Sequence, residues 1–241
     1  MSKIDLFNKD CMEGMKRYPD KHFDLAIVDP PYGRGEDGGR NRSHNVKQKN
    51  GSVLHCKDGG YKKKHWDEIP GLDFFMELAR VSKQRIIWGM NYFPVLLNGG
   101  CIVWDKVNDG ADQSGAEIAH CSMTNRVDVF RYMWRGMMQG ESIENGTKQQ
   151  GNKALNEKRI HPTQKPVALY KCLLKTYAKY GDLILDTHLG SGSIAIACWD
   201  MGFDLTGFEI DKDYYDGAMK RLEDHKRQEV FRFDRSYMAK E

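Results

Sequence analysis

Asp29-Pro30-Pro31-Tyr32 sets an acid, two stiff backbone carbonyls and an aromatic ring side by side. The stretch follows an apolar run, Phe23-Asp24-Leu25-Ala26-Ile27-Val28, that reads as a buried strand. Each proline fixes φ and removes a donor, so the pair ends the strand and holds the chain rigid past its tip. In open α/β sheets that carboxyl edge is where ligands bind. An acid plus carbonyls can accept both hydrogens of an exocyclic NH2 group, and a ring can stack on the base that carries it. The plainer reading is a strand closed by a Pro-rich turn, with Tyr32 as a core ring.

A second constellation spans Leu183-Ile184-Leu185-Asp186-Thr187-His188-Leu189-Gly190-Ser191-Gly192-Ser193. It reads as a strand, a tight glycine turn and a helix start. Gly190 and Gly192 let the backbone approach a ligand at a helix N-terminus, with Ser191 between them. Glu209 lies at the end of the next strand, where a carboxylate can accept both hydroxyls of a ribose. The pattern points to a nucleoside cofactor. A dinucleotide is one candidate, since Gly190-x-Gly192-x-x-Ala195 departs from the dinucleotide turn at its third position alone.

Other elements must place these two turns in one molecule. A strand is expected at about 4–8 and a short helix from about 11 to 17. A helix from about 73 to 82 carries Phe74, Phe75, Leu78 and Val81 on one side. Residues 85–89, 101–104 and 127–130 read as strands, and Pro166 starts a helix. The end of the chain alternates strand 182–186, a helix to about 201, strand 204–209 and a helix from 211 to about 226. Such alternation implies an α/β fold with a doubly wound, mainly parallel sheet. At 241 residues, 40% of them hydrophobic, the chain fits one domain. No apolar run approaches the roughly 20 residues of a membrane span, and the start shows no signal-peptide pattern. Six scattered cysteines without a Cys-x-x-Cys pair fit a reducing cytoplasm, and no set of residues has convincing metal-ligand spacing.

Net charge is +3 but unevenly spread. Residues 33–65 hold nine Lys/Arg against three Asp/Glu and show no hydrophobic period. They read as a long, mobile basic loop facing a polyanion, or else as a solvated surface insertion. Its candidates for phosphate contact are Arg34, Arg40, Arg42, Lys62, Lys63 and Lys64.

With its two turns, its His161-Pro162-Thr163-Gln164-Lys165-Pro166 stretch, Trp88-Gly89-Met90-Asn91-Tyr92-Phe93 and Trp104-Asp105-Lys106, the chain resembles the amino-group DNA methyltransferases. It is most similar to their circularly permuted subgroup, often called beta, in small bacterial and phage members. There the catalytic motif comes first, the target-recognition segment next and the cofactor turn last, as 29–32, about 107–160 and 186–192 do here. Thr187-His188 departs from the family's usual Pro-Phe.

The resemblance implies S-adenosyl-L-methionine as cofactor and double-stranded DNA as partner. A homodimer and a cognate restriction enzyme are candidate protein partners, in the cytoplasm of a bacterial or phage-infected cell. It implies that Asp186 meets the cofactor's ammonium, with Thr163 and Lys165 as candidates for its carboxylate. Permutation sets strand 4–8 beside strand 204–209. Asp10 and Cys11 then sit where the cofactor's adenine would rest, although Asp10 is equally suited to cap a helix. Asp29, Pro30, Pro31 and Tyr32 become the catalytic group, acting on an adenine N6 amino group in a flipped-out base. N4 of cytosine is the alternative, as is a catalytically silent methylase fold that binds DNA. Asp29 favours adenine, because serine is commoner at that position among cytosine enzymes.

Overall fold

In the computed structural model, residues 2–35, 37, 44–47, 51–56, 61–95, 97–109 and 114–238 are described, without the side chains of 44–47, 54–56 and 229–238. Arg40 and Arg42 therefore lie outside the described residues. The strands are β1 (Ile4–Asn8), β2 (Phe23–Val28), β3 (His44–Lys47), β4 (Val53–Cys56), β5 (Ser82–Trp88), β6 (Gly100–Asp105), β7 (Ala116–Cys121), β8 (Val127–Arg131), β9 (Trp134–Arg135), β10 (Met138–Gln139), β11 (Leu183–Asp186) and β12 (Asp204–Glu209). The helices are α1 (Cys11–Met15), α2 (Leu72–Val81), α3 (Val167–Tyr177), α4 (Ser193–Met201) and α5 (Lys212–Met238).

Eight strands form one sheet in the order β1-β12-β11-β2-β5-β7-β6-β8. From β1 to β5 every pairing is parallel. β1 lies beside β12, with Asn8 opposite Glu209, so the two ends of the chain complete one half of the sheet. β7 runs antiparallel to both β5 and β6, and β8 returns parallel to β6. Because β7 is reversed, its amino end reaches the edge where the parallel strands present their carboxyl ends.

The hydrophobic pattern explains the layers. The central strands are apolar on both sides and are covered on both faces, as parallel strands require. Leu25 and Ile27 of β2 pack with Leu169, Leu173 and Leu174 of α3 and with α4. Ala26 and Val28, the alternate residues, pack with Phe74, Phe75 and Leu78 of α2. Each such leucine, isoleucine, valine or phenylalanine contributes about 1.5–3 kcal/mol by leaving water.

Four parts differ from expectation. Residues 33–65 are not loop throughout, since β3 and β4 pair as an antiparallel hairpin. Two four-residue strands are too short to show a period in sequence. β7 is not foreseen at all, because Ala-Glu-Ile-Ala-His-Cys carries too much polarity to read as a strand. In addition, α5 continues to Met238, beyond the expected end near 226. Finally, Pro166 is the residue before the first turn of α3 rather than within it.

Candidate active site

A cavity of about 1530 Å3 runs along the carboxyl edge of the sheet. Sites for one small molecule usually span about 300–1,000 Å3, so this one has room for two ligands. In strand order its wall passes from Asp10, Cys11 and Glu209, through Gly190 and Asp29 to Tyr32, to Lys106 and Glu117. The two turns picked out in the sequence, 154 or more residues apart, thus open into one space.

The glycine turn joins β11 to α4. Gly192 has φ +71°, and a Cβ there would press on Ala218 of α5 at 2.9 Å. Glycine is what the turn requires on both counts. Glu209 fixes the turn from the next strand: one carboxylate oxygen accepts the Gly190 N–H at 2.7 Å, the other the Asp211 N–H at 2.9 Å. Each oxygen keeps a further lone pair for a ligand hydroxyl. Burial pushes the Glu209 carboxyl up from its ordinary value.

Asp186, at the end of β11, is 1% exposed and lies within the wall rather than on the cavity surface. It accepts the His188 N–H at 3.0 Å. Burial, with the Asp29 and Glu209 charges added, pushes its carboxyl up to about 8 against that hydrogen bond. His188 packs edge-on against Phe74 at 5.3 Å, and burial lowers it to about 4, so it is a neutral ring in the turn. Ser191 turns its hydroxyl towards Ser193 and Arg221 rather than the cavity. Ser191 still lines the cavity, whereas Gly192 does not.

Asp10 caps α1, its carboxylate accepting the N–H groups of Met12 at 2.8 Å and Glu13 at 3.2 Å. The capping carboxylate also lines the cavity, so both roles foreseen for it are open. Beside it burial raises the Cys11 thiol to about 12, which keeps it neutral.

Asp29 stands just past β2, with both oxygens engaged. The Tyr32 hydroxyl donates to one at 2.5 Å, and the Lys165 ammonium pairs with the other. Tyr32 stacks on Tyr92 with centroids 5.0 Å apart. It can sit there because Gly89, at the tip of β5, has no side chain: with φ +78°, a Cβ would collide with the Tyr32 ring.

Two assignments change in the structure. Lys165 does not point a free ammonium at the cofactor turn, because Asp29 and Glu117 hold it. Lys64, expected to face phosphate, pairs instead with Asp211 at 2.9 Å and Asp213 at 2.7 Å. Those acids begin α5 and lie far along the chain, beyond the reach of local reading. Lys62, Lys63 and Arg34 are exposed, and Arg34 lies over the Tyr92 ring at 4.9 Å. Thr163 lines the cavity and its hydroxyl meets His161 Nδ1 at 3.1 Å.

The sequence reading misses Glu117, Trp66 and the part His161 plays. Trp66 packs on His161 with centroids 5.2 Å apart, and His161 on Tyr214 at 4.2 Å. With Lys64, this ring stack closes one side of the cavity. The signal for Glu117 is its parity with Ala119 and Cys121, both buried, on one strand.

The fold and this edge are those of an amino-group DNA methyltransferase. Residues 47–220 match the DNA methylase family, N6 and N4 type, and the chain belongs to that family. S-adenosyl-L-methionine is the cofactor of that family and of this chain, and DNA is its substrate. The match begins after the Asp29 turn. The type II methyltransferase M.HinfI of Haemophilus influenzae is 27% identical, over 90% of this chain and 67% of its own length. In fold, the crystal structure of the M1.HpyAVI–SAM complex superposes with a TM-score of 0.56 at 20% identity, covering 91% of this chain and all of that one. The PvuII DNA methyltransferase, cytosine-N4-specific, gives 0.51 at 12% identity over 95% and 93% of the two chains. Among the described residues no helix is long and apolar enough to cross a membrane.

Proposed function

We propose that this chain methylates the N6 amino group of adenine in double-stranded DNA, on a base turned out of the helix. The observation that carries the reading is Asp29, held with Tyr32 at the tip of β2 in the same cavity as Gly190 and Glu209. An aspartate at that position is the feature that favours adenine over cytosine.

The cavity residues fit the cofactor. Glu209 offers lone pairs for ribose hydroxyls, and within the wall Asp186 is a buried carboxyl that makes no ion pair among the described residues. Asp10 and Cys11 flank an adenine seat, and Thr163 and the backbone of Gly190 and Ser191 face the methionine end. When bound, S-adenosyl-L-methionine supplies an electrophilic methyl group.

The chain's own residues do the rest by position. An adenine amino nitrogen is a weak nucleophile because its lone pair is delocalised into the ring. The Asp29 carboxylate and the Pro30 carbonyl accept its two N–H groups, and Pro31 keeps both acceptors rigid. Those bonds draw the nitrogen towards tetrahedral geometry and free the lone pair for in-line attack. The surplus proton leaves the nitrogen towards Asp29. Flipping the base costs a few kcal/mol, and stacking on Tyr32 returns about 1–3 kcal/mol. Arg34, Lys62 and Lys63 contact phosphate, while residues 107–160, including the β9–β10 hairpin, read base edges.

Incubation with labelled S-adenosyl-L-methionine and DNA, followed by nucleoside chromatography, tests the reading. N6-methyladenine is expected from the parent and none from Asp29→Ala, with cofactor affinity unchanged. N4-methylcytosine as product would replace adenine with cytosine.

A further inference from the structure

Asp29 ends a row of four charges of alternating sign. Lys106 Nζ meets one oxygen of Glu117 at 2.5 Å. The other oxygen of Glu117 lies 3.0 Å from Lys165 Nζ. Lys165 in turn pairs with Asp29 and donates to the Tyr32 hydroxyl oxygen at 3.2 Å. The row rests on aromatic faces: Lys106 over Trp104 at 5.0 Å, and Lys165 over Trp88 at 5.3 Å and Tyr32 at 5.5 Å. The Lys165 side chain is 2% exposed. A buried, fully committed ammonium of this kind is costly to desolvate and needs both acids to hold it.

We propose that Lys165 is a positioning residue for Asp29, that the Lys106–Glu117 pair holds Lys165, and that the row fixes both the charge and the direction of the acceptor. The proposal rests on the reading of Asp29 as the acceptor of the amino N–H groups. It gives Lys165 a task at the target base rather than at the cofactor's carboxylate.

The physical case is one of opposing effects. Burial disfavours an ionised Asp29 and raises its carboxyl, and the like charge of Glu117 adds to this, while Lys165 works against both. Burial alone would also lower Lys165, but Asp29 and Glu117 keep it above its ordinary value. Glu117 is driven down to about 2 despite its burial, because Lys165 and Lys106 both face it. Three further groups face Asp29. Tyr170 of α3 and Tyr32 are raised far above the ordinary phenol range and stay neutral; Asp186 of β11, at about 8, is mostly protonated at neutral pH. Lys165 is therefore the cation that sets the acceptor, and Glu117 shares it. The Tyr32 hydroxyl donates to Asp29 and accepts from Lys165, so the same pair also aims the ring on which the base stacks.

Glu117 and Lys165 make opposite predictions for Asp29, which separates tuning from simple structural support. Full-length protein labelled with 13C at aspartate carboxyls is titrated by NMR, with Asp29→Asn assigning the resonance. Lys165→Met should move the Asp29 midpoint up by about one to three pH units. Glu117→Gln should move it down, and as the milder change it keeps the test open if Lys165→Met does not fold. Single-turnover methyl transfer to DNA should follow: its acid limb shifts up in Lys165→Met, down in Glu117→Gln, and recovers in Lys165→Arg. S-adenosylhomocysteine affinity should stay within about three-fold in each, since none is assigned to the cofactor.

Unmoved Asp29 midpoints, or an upward shift in Glu117→Gln, would overturn the proposal. So would a large loss of S-adenosylhomocysteine affinity in Lys165→Met with Asp29 unchanged. The carboxyl titration needs no DNA, so it stands apart from the function: absent N6-methyladenine from the parent would defeat the adenine reading while the midpoints still decide the row of charges.

Discussion

Replacing Asp186 with asparagine should raise stability and weaken cofactor binding at the same time. Asp186 is 1% exposed, and burial lifts its carboxyl from 3.8 to about 8. Each pH unit of that rise is worth about 1.4 kcal/mol against the ionised form. The sign follows from proton counting. Between pH 4 and 8 the unfolded chain has lost this proton while the folded chain still holds it, so stability falls as pH rises through the window. The loss should reach a few kcal/mol by pH 8. The amide of Asp186→Asn would not titrate, and its oxygen can still accept the His188 N–H. At pH 4 variant and parent should then melt together, while at pH 8 the variant should melt higher. For a chain of this size a few kcal/mol corresponds to roughly 10 °C. Binding offers a second measure. If Asp186 meets an ammonium, it must ionise when the cofactor enters. The parent should then release about 0.9 proton per site at pH 7. Calorimetry in two buffers of different ionisation enthalpy reads that number directly, and the variant should release almost none. A parent whose binding is proton-neutral and whose pH–stability curve matches the variant's would show that Asp186 is ionised already, and the argument from burial would fail.

Glu209→Ala should weaken S-adenosylhomocysteine binding before it affects anything at the target base, because one of its oxygens braces the glycine turn at Gly190 and both keep a lone pair for the ribose; equal affinity in a titration would misplace the ribose. Gly89→Ala should lower methyl transfer by about 100-fold through displacement of Tyr32 while cofactor affinity holds, and a crystal structure with Tyr32 unmoved and full activity would contradict it. Lys62→Ala and Lys63→Ala should each flatten the log–log salt slope of DNA binding by roughly 0.9, whereas Lys64→Ala, already committed to Asp211 and Asp213, should leave the slope alone and cost about 0.5–1 kcal/mol in a denaturant melt. A slope that falls with Lys64 and not with Lys62 or Lys63 would reverse that assignment.

Local pattern carries the parts of this fold that are local. β11 is legible because a continuous apolar run ends at a turn signal, and α2 because its apolar residues recur at helical spacing. The Asp29 and Gly190 turns are legible because proline and glycine state their backbone needs outright. What cannot be read is set by residues distant in sequence. Lys64 finds its acids 147 and 149 positions later, and Lys165 finds Tyr32 133 positions earlier. Charge gives no hint of such pairing, since an exposed lysine and a buried one are spelled alike. The same limit hides β7, whose polar residues become tolerable through pairing with β5 and β6.

That reversed strand is what completes the edge. Parallel strands can offer this edge only their carboxyl ends, and Asp29, Gly89, Asp186 and Glu209 all come from there. β7 brings a residue from its amino end, with Glu117 opposite Trp104 and Ala119 opposite Trp88. Side chains alternate along a strand, so a slip of one residue would turn Glu117 to the other face and put Ile118 or Ala116 in its place. Lys165 would then be a buried cation with one acid instead of two, and Lys106 would have lost its partner. Burial of Ala119 and Cys121 on the same parity holds the register that prevents this. The packing of a plain hydrophobic strand face and the charge balance behind Asp29 are thus one constraint, which is why a residue as unremarked in the sequence as Glu117 can stand so close to the chemistry.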